Sequence, residues 1–385
     1  MTYKHLFQRA LAAAPDRLHF AAHSHSLWPD ASWLGHQAAW EDAARLADHK
    51  WGRVMGDILP AAQAEVAAEL RLPDPSTIVF AGNTHDLLLR IVSARGEHPV
   101  HILTSDGEFH SFRRQSQRWL ESGRVVLDIV PNGPDFADRF LAAARAGSHD
   151  LIFVSQVMFE TGAVFTALSD LAALARPDGP WVVIDGYHGF MATPTDLSAV
   201  ADKVFYLAGG YKYAMAGEGA CFLHSPPGFC PRPVITGWFA EFGHLEGPPG
   251  GVQYRTDGGR FWGATFDVSA LYRLNAVRRM LDEQGLTTTE IAAHARGLQA
   301  RFQAAVRNGE AGALSQAEIL NPVEGEAPRA RFLALRSDEA SRWKADLQHM
   351  NVVTDVRDDV IRFGFSLYQS EEDVERLIHA CARLT

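Results

Sequence analysis

An alternation running from Thr77 to Leu223 restricts the fold of this chain more than any other feature. Short runs that are apolar throughout, at 78–81, 101–104, 125–130, 151–155, 181–185, 204–208 and 220–224, are separated by longer stretches. Several of these stretches (86–94, 111–121 and 170–175) have helical spacing or composition. A strand with one wet face alternates apolar and polar residues, whereas a strand apolar throughout belongs to a sheet covered on both faces. Strands alternating with helices then predict a mostly parallel α/β sheet. The chain has 385 residues, more than the roughly 100–200 of one domain, and its pattern changes after this stretch. A Gly/Pro-rich zone over 225–263 leads into a helical pattern over 267–283, closed by Gly285. Two further helices and short strands at 332–335, 352–353 and 360–365 suit a smaller second domain, with a boundary near residue 265.

Apolar residues at 47% and charged residues at 21% fit a folded soluble chain with a sizeable core. Acids outnumber bases 46 to 36, giving a net charge of −10, which argues against a nucleic-acid or membrane-surface partner. No apolar run approaches the roughly 20 residues that span a bilayer. The opening MTYKHLFQRALAAAP is interrupted by Gln8 and Arg9 and reads as an amphipathic helix stopped by Pro15. Cys221, Cys230 and Cys381 cannot form a disulfide framework and fit a reducing, cytoplasmic setting.

Ligands of open α/β sheets bind beyond the carboxyl ends of the strands. The first strand here delivers Gly82-Asn83-Thr84 and a helix, whose free N–H groups either cradle an anion or are simply capped by Asn83 or Thr84. The second leads into Glu108-Phe109-His110-Ser111-Phe112, and the fourth ends at Ser155. The fifth closes on Asp185, before Gly186-Tyr187-His188-Gly189; a carboxylate there meets a cation or caps the next turn. The sixth runs into Gly209-Gly210-Tyr211-Lys212-Tyr213. Of only five lysines, Lys212 alone sits in a glycine-aromatic turn at this edge, where desolvation disfavours the ammonium and activates the amine. No G-x-G-x-x-G follows a strand, and no Walker loop or HExxH is present. His23 and His25 share a face if extended, but no third ligand stands at a recognisable spacing, so no metal is expected.

Together LHFAAHSHSLWP, VFAGNTHDLLL, EFHSF, VSQVMFETG, VVIDGYHGF, GGYKYAMAGEGACFLH, TGWF and DVRDDVIRFGFSLYQSEEDV resemble the kynureninase branch of the class V aminotransferase-like enzymes, which depend on pyridoxal phosphate. The resemblance implies fold type I: an N-terminal segment (1–44) packing with the small domain, a large cofactor-binding domain (45–265) and a small α+β domain (266–385). It implies that Lys212 attaches the cofactor and moves protons at the substrate carbon, with Asp185 on the pyridine nitrogen and Phe109 on the ring face. Asn83, Thr84, Ser111, Tyr211, Trp238 and Thr265, the last from a second subunit, would hold the phosphate. Ser155 and His188 would fix the ring substituents. Arg362 would take the substrate α-carboxylate, or else form an ion pair with an acid such as Asp355.

The family's early N-S-L-G segment reads His23-Ser24-His25-Ser26 here, so Ser24 alone is kept as a substrate contact. The acid expected after Ser111 is Phe112, and the prolines and asparagine of the tail pattern are replaced in Gly364-Phe365-Ser366-Leu367-Tyr368-Gln369. The implied activity is hydrolytic Cβ–Cγ cleavage of L-kynurenine or a related γ-keto amino acid to L-alanine and an aryl acid, in a homodimer, with Tyr211 as proton donor. The altered substrate side motivates an alternative with the same cofactor: a transaminase, racemase or epimerase, or β-lyase acting on another amino acid. Cysteine desulfuration would need a nucleophilic cysteine on a mobile loop, and Cys221 and Cys381 sit in a strand and a helix. A non-catalytic binding protein on the same fold is the reading from another class.

Overall fold

The computed structural model describes residues 2–96, 99–241, 251–325 and 327–385. The apolar runs become seven strands: β1 (Ile78–Ala81), β2 (Val100–Ser105), β3 (Val125–Val130), β4 (Leu151–Ser155), β5 (Trp181–Asp185), β6 (Val204–Ala208) and β7 (Cys221–His224). They form one sheet in the order β1-β7-β6-β5-β4-β2-β3, in which only β7 runs antiparallel to its neighbours. Every residue of β1, β4, β6 and β7 is buried, as a sheet covered on both faces requires. The edge strand β3 departs from that expectation: it leaves Val126 and Ile129 exposed although its sequence is almost wholly apolar.

The main helices are α1 (Asp30–Leu46), α2 (Leu59–Leu70), α3 (Thr84–Ser93), α4 (His110–Glu121), α5 (Phe136–Ala146), α6 (Ser269–Glu283), α7 (Thr288–Arg307), α8 (Ala340–His349) and α9 (Glu371–Cys381). Helix α6, inside the range expected for the small domain, buries Leu271, Leu274, Val277 and Leu281 in the core of the large sheet. Gly35 permits its close approach to α1, since a Cβ there would overlap the Tyr272 backbone. A separate core forms around Phe302, Leu333, Trp343, Phe363 and Leu377. Its strands β8 (Glu318–Ile319), β9 (Phe332–Arg336), β10 (Asp355–Arg357) and β11 (Val360–Gly364) pair antiparallel in the order β10-β11-β9-β8.

This region carries three helices, α7, α8 and α9, rather than the two expected. Side chains cap two of them: Thr287 with Glu290, and Ser370 with Asp373, form reciprocal capping boxes. The opening helix is shorter than expected, a 3₁₀ turn at Lys4–Phe7 followed by Gln8–Ala12. Leu18–His19 then pairs parallel with Val352–Val353, and Lys4 reaches Asp373 at 2.8 Å, tying the chain start to the C-terminal core. Among the described residues no helix is long and apolar enough to cross a membrane.

Candidate active site

The ends of β1, β2, β4, β5 and β6 open on one cleft of about 1510 Å³. It brings together Asn83, Thr84, Phe109, Ser111, Ser155, Asp185, His188, Tyr211 and Lys212, residues drawn from five separate segments of sequence. Lys212 is the buried cation among them, 5% exposed, with Nζ 2.5 Å from Nε2 of His188. The rings of Tyr187, Phe109 and Tyr211 lie 4.9, 5.6 and 5.9 Å from that nitrogen. Burial pulls its pKa down to about 7, against the pull of Asp185, and Arg362 adds to the fall. Burial, with Lys212 next, also holds His188 well below its ordinary value, so the pair is a neutral imidazole facing an amine that readily loses its proton. Gly209 makes room for this arrangement, since a Cβ there would strike the Tyr187 hydroxyl and Cys221.

Asp185 closes β5 on the cleft floor, and its Oδ1 accepts the Tyr187 N–H at 2.9 Å, so the carboxylate also fixes the following turn. Burial raises its pKa against Tyr187 and Lys212. Tyr211 stacks on His25, ring centroids 4.6 Å apart, and tilts against Tyr187. Burial lifts its hydroxyl to about 12. Phe109 stands edge-on to Phe159, at 5.4 Å and 90°. Phe112 turns inward to stack on Phe153 at 3.9 Å, which explains an apolar residue at that position.

At the other end of the cleft stands the N-terminus of α3. Asn83 does cap it, Oδ1 accepting the Asp86 N–H at 2.8 Å, while Asn83 Nδ2 holds the Asp86 carboxylate at 3.3 Å. A Cβ added at Gly82 would meet nothing within 4 Å, so open space lies beside the first N–H groups of a ten-residue helix. That space suits an anion, which the oriented amides and helix dipole favour. A buried amine, a carboxylate opening on the same cleft, an aromatic wall and His188 Nδ1, buried without a partner, form the donor set that pyridoxal phosphate requires.

Four expected residues are placed elsewhere. Arg362 is 2% exposed on β11, and its two terminal nitrogens donate to Asp355 and to the Phe159 carbonyl. The ion pair with Asp355 is thus what the structure shows, with Arg362 Nε buried and unpartnered. Asp355 also accepts from Arg357 at 2.6 Å and lies 3.6 Å from His23 Nε2. Ser24 is half-buried, its Oγ 3.5 Å from His25, and does not line the cleft. Trp238, which opens a 3₁₀ turn at Trp238–Glu241, and Thr265 hydrogen-bond to each other at 3.2 Å at the surface, away from the cleft of their own chain. Within the zone carrying Trp238, residues 242–250 lie outside the described residues. His23, packed on Phe332, and the exposed His25 occupy different surroundings, and no group of three metal-ligating side chains forms among the described residues.

Two residues lacked a role in the sequence. Glu108 is fully buried behind the cleft, and its carboxylate accepts from Ser105 Oγ (2.7 Å), Ser155 N (3.2 Å) and Ser155 Oγ (2.5 Å). Tyr187 supplies both the turn N–H for Asp185 and a ring over Lys212. An acid directly before Phe109, three residues beyond the mostly buried β2, was the available signal for the first.

A family model described as the kynureninase C-terminal domain matches residues 291–381. No curated protein matches the chain significantly. Among solved structures, the chain is similar to C-DES, as a mutant with glycine covalently linked to the PLP cofactor, at TM-score 0.81 and 17% identity with 100% of each chain covered. It is similar to the cystine C–S lyase C-DES in complex with its reaction product cysteine persulfide, at TM-score 0.80 and 19% identity, covering 97% of this chain and 99% of that one. The cysteine desulfurase CsdA from Escherichia coli follows at TM-score 0.77 and 17% identity, covering 99% and 97%. The likeness is one of fold: the fold-type I architecture of a large mixed sheet wrapped by helices and a smaller α+β domain. It corrects the expectation of hydrolytic Cβ–Cγ cleavage to alanine. These structures, alike over nearly the whole chain, are a C–S lyase and a desulfurase, whereas the kynureninase model spans a region that contains Arg362 but none of the strand ends lining the cleft.

Proposed function

We propose that this chain is a pyridoxal-phosphate-dependent lyase of the class V aminotransferase-like group, which eliminates a leaving group, sulfur foremost, from Cβ of an amino acid. The observation that carries the reading is Lys212, buried against His188 and three aromatic rings at the sheet edge that Asp185 closes. Lys212 would attach the cofactor, Asp185 would face its ring nitrogen and Phe109 its ring face. Ser155 and His188 would meet the ring substituents. Asn83, Thr84, Ser111 and Tyr211 would hold the phosphate at the α3 N-terminus, with Trp238 and Thr265 arriving from a second copy. Bound there, the cofactor supplies an electron sink for the pair released at Cα.

Lys212 Nζ, pulled down to about 7, is suited to take the Cα proton and to return one. Neutral His188 accepts a hydrogen bond from that nitrogen and keeps it aimed. Net, a thioether or disulfide amino acid and one water give the free thiol or persulfide, pyruvate and ammonia; the Cβ–S pair leaves with sulfur. No thiol nucleophile is needed: Cys221 lines the cleft, but burial pushes it up to about 11, and Cys230, pushed up to about 12, and Cys381 are buried away from it. That sets elimination above desulfuration. Exposed Val234, Ile235, Trp238 and Val252 on the Gly/Pro-rich zone support a homodimer, and three unpaired cysteines support a cytoplasmic setting.

The test is an absorption spectrum of the purified protein, then product analysis with L-cystine and S-alkyl cysteines. A band removed by borohydride, pyruvate formed in step with thiol, and loss of both in Lys212→Ala are the expected results. A keto acid matching the substrate or a racemised amino acid would move the chemistry to transamination or racemisation. No band after adding pyridoxal phosphate would end the reading.

A further inference from the structure

Glu108 is the buried acid that the proposed chemistry leaves unused. It does not line the cleft, and no cation pairs with it among the described residues: its hydrogen-bonding neighbours are Ser105 from β2 and Ser155 from β4. Ser155 does line the cleft, and it lies directly across the β4–β5 ladder from Asp185. A serine hydroxyl has one hydrogen and two lone pairs, so what Ser155 offers a ligand depends on what it has given Glu108. When Glu108 is ionised it can only accept, the Ser155 hydrogen is committed to it, and Ser155 faces the cleft with lone pairs alone. When Glu108 carries a proton, that proton is donated to Ser155 Oγ and the serine hydrogen is released toward the cleft. The 2.5 Å separation fits both arrangements.

We propose that Glu108 is a positioning residue for the cleft: through its hydrogen bond to Ser155 it sets whether that hydroxyl meets the bound group as acceptor or as donor. Burial moves the Glu108 carboxyl up to about 7, against the pull of the two serines, and the Asp185 carboxylate opposes its ionisation further. Both arrangements are therefore reachable near neutral pH.

The inference rests on the cofactor reading only for one of its two probes. The first probe is the cofactor-free protein: infrared difference spectra across about pH 5 to 9 follow the protonated carboxyl band, with Glu108→Gln identifying the signal. The band titrates in the wild type, vanishes in E108Q, and moves to higher pH in Ser155→Ala, because a donor to the ionised form has gone. The second probe is pyridoxal phosphate affinity over the same range. The wild type shows a step of about tenfold, E108Q and S155A each lose it, and E108Q added to S155A changes affinity less than about twofold. A step that survives in S155A, or effects that multiply in the double variant, overturns the proposal. Should E108Q fail to fold, the wild type and S155A alone decide, in both probes. If the wild type takes up no cofactor while the infrared coupling holds, the lyase reading falls and the Glu108–Ser155 pair stands; uptake without coupling is the reverse.

Discussion

Replacing Asp355 with Ala tests how the buried guanidinium of Arg362 is held. The carboxylate pairs with Arg362, whose side chain is 3% exposed, and with Arg357, which is 33% exposed. Removing one partner of a buried pair leaves the other charge uncompensated, at a cost of about 3–5 kcal/mol, whereas replacing both with apolar groups is often neutral. Arg357 hydrates once released and adds little, and His23, held by burial at about 3, is already neutral. The loss therefore rests on Arg362 and falls near the lower limit, about 3 kcal/mol. Urea unfolding of the cofactor-free protein, at an m of about 3 kcal/mol/M, then shows a midpoint lowered by about 1 M with m unchanged.

Asp355→Leu with Arg362→Met recovers most of that loss. A single variant as stable as the wild type, or a double variant no better than the single, refutes the reasoning. The pH dependence has a definite sign. Burial raises the Asp355 carboxyl, but His23, Arg362 and Arg357 together hold it well below the ordinary carboxylate value. A depressed folded value stabilises fully above the unfolded pKa of about 4 and is lost as pH falls toward the folded one. The stability gap between wild type and Asp355→Asn should narrow only below about pH 4.

Lys212 carries the opposite sign, since burial lowers the pKa of a cation: its cost is full below about pH 7 and is relieved as pH rises toward about 10. Cofactor-free Lys212→Met should accordingly be the more stable protein at about pH 6, by a few kcal/mol, with the gap closing by about pH 10; a gap independent of pH contradicts the burial argument. Gly82→Ala puts a methyl into the open space at the α3 N-terminus without meeting protein atoms, so pyridoxal phosphate uptake should fall about tenfold or more while thermal stability is kept; normal uptake would place the phosphate elsewhere. Changing all three cysteines to alanine should leave pyruvate production intact in the folded fraction, and its loss would point to a thiol nucleophile and hence to desulfuration.

What the sequence disclosed and what it withheld divide along a physical line. Strand ends are local: a buried apolar run followed by Asp185, or by Gly209-Gly210-Tyr211-Lys212, announces where chemistry sits, because backbone geometry alone carries those residues to one edge. The sheet itself was legible to within a residue at most strands for the same reason, and it failed at β3, where burial depends on a neighbour rather than on composition. Arg362 shows the limit. Its motif suggests a free guanidinium, yet β10 and β11 pair in a register that sets Asp355 opposite it, and no spacing rule reveals which of two acceptors holds such a group.

Glu108 was hidden differently. Its neighbours Ser105 and Ser155 are 50 residues apart and meet only because β2 and β4 are adjacent while β3 lies outside them. Crossed strand order thus gives Glu108, the first residue of EFHSF, partners behind the cleft that no linear motif discloses. The consequence bears on the lost substrate assignment. Motifs preserve the residues at the strand ends, whereas partners such as those of Arg362 and Glu108 are fixed only by how strands are ordered and paired, and a reading of chemistry from motifs alone leaves them out.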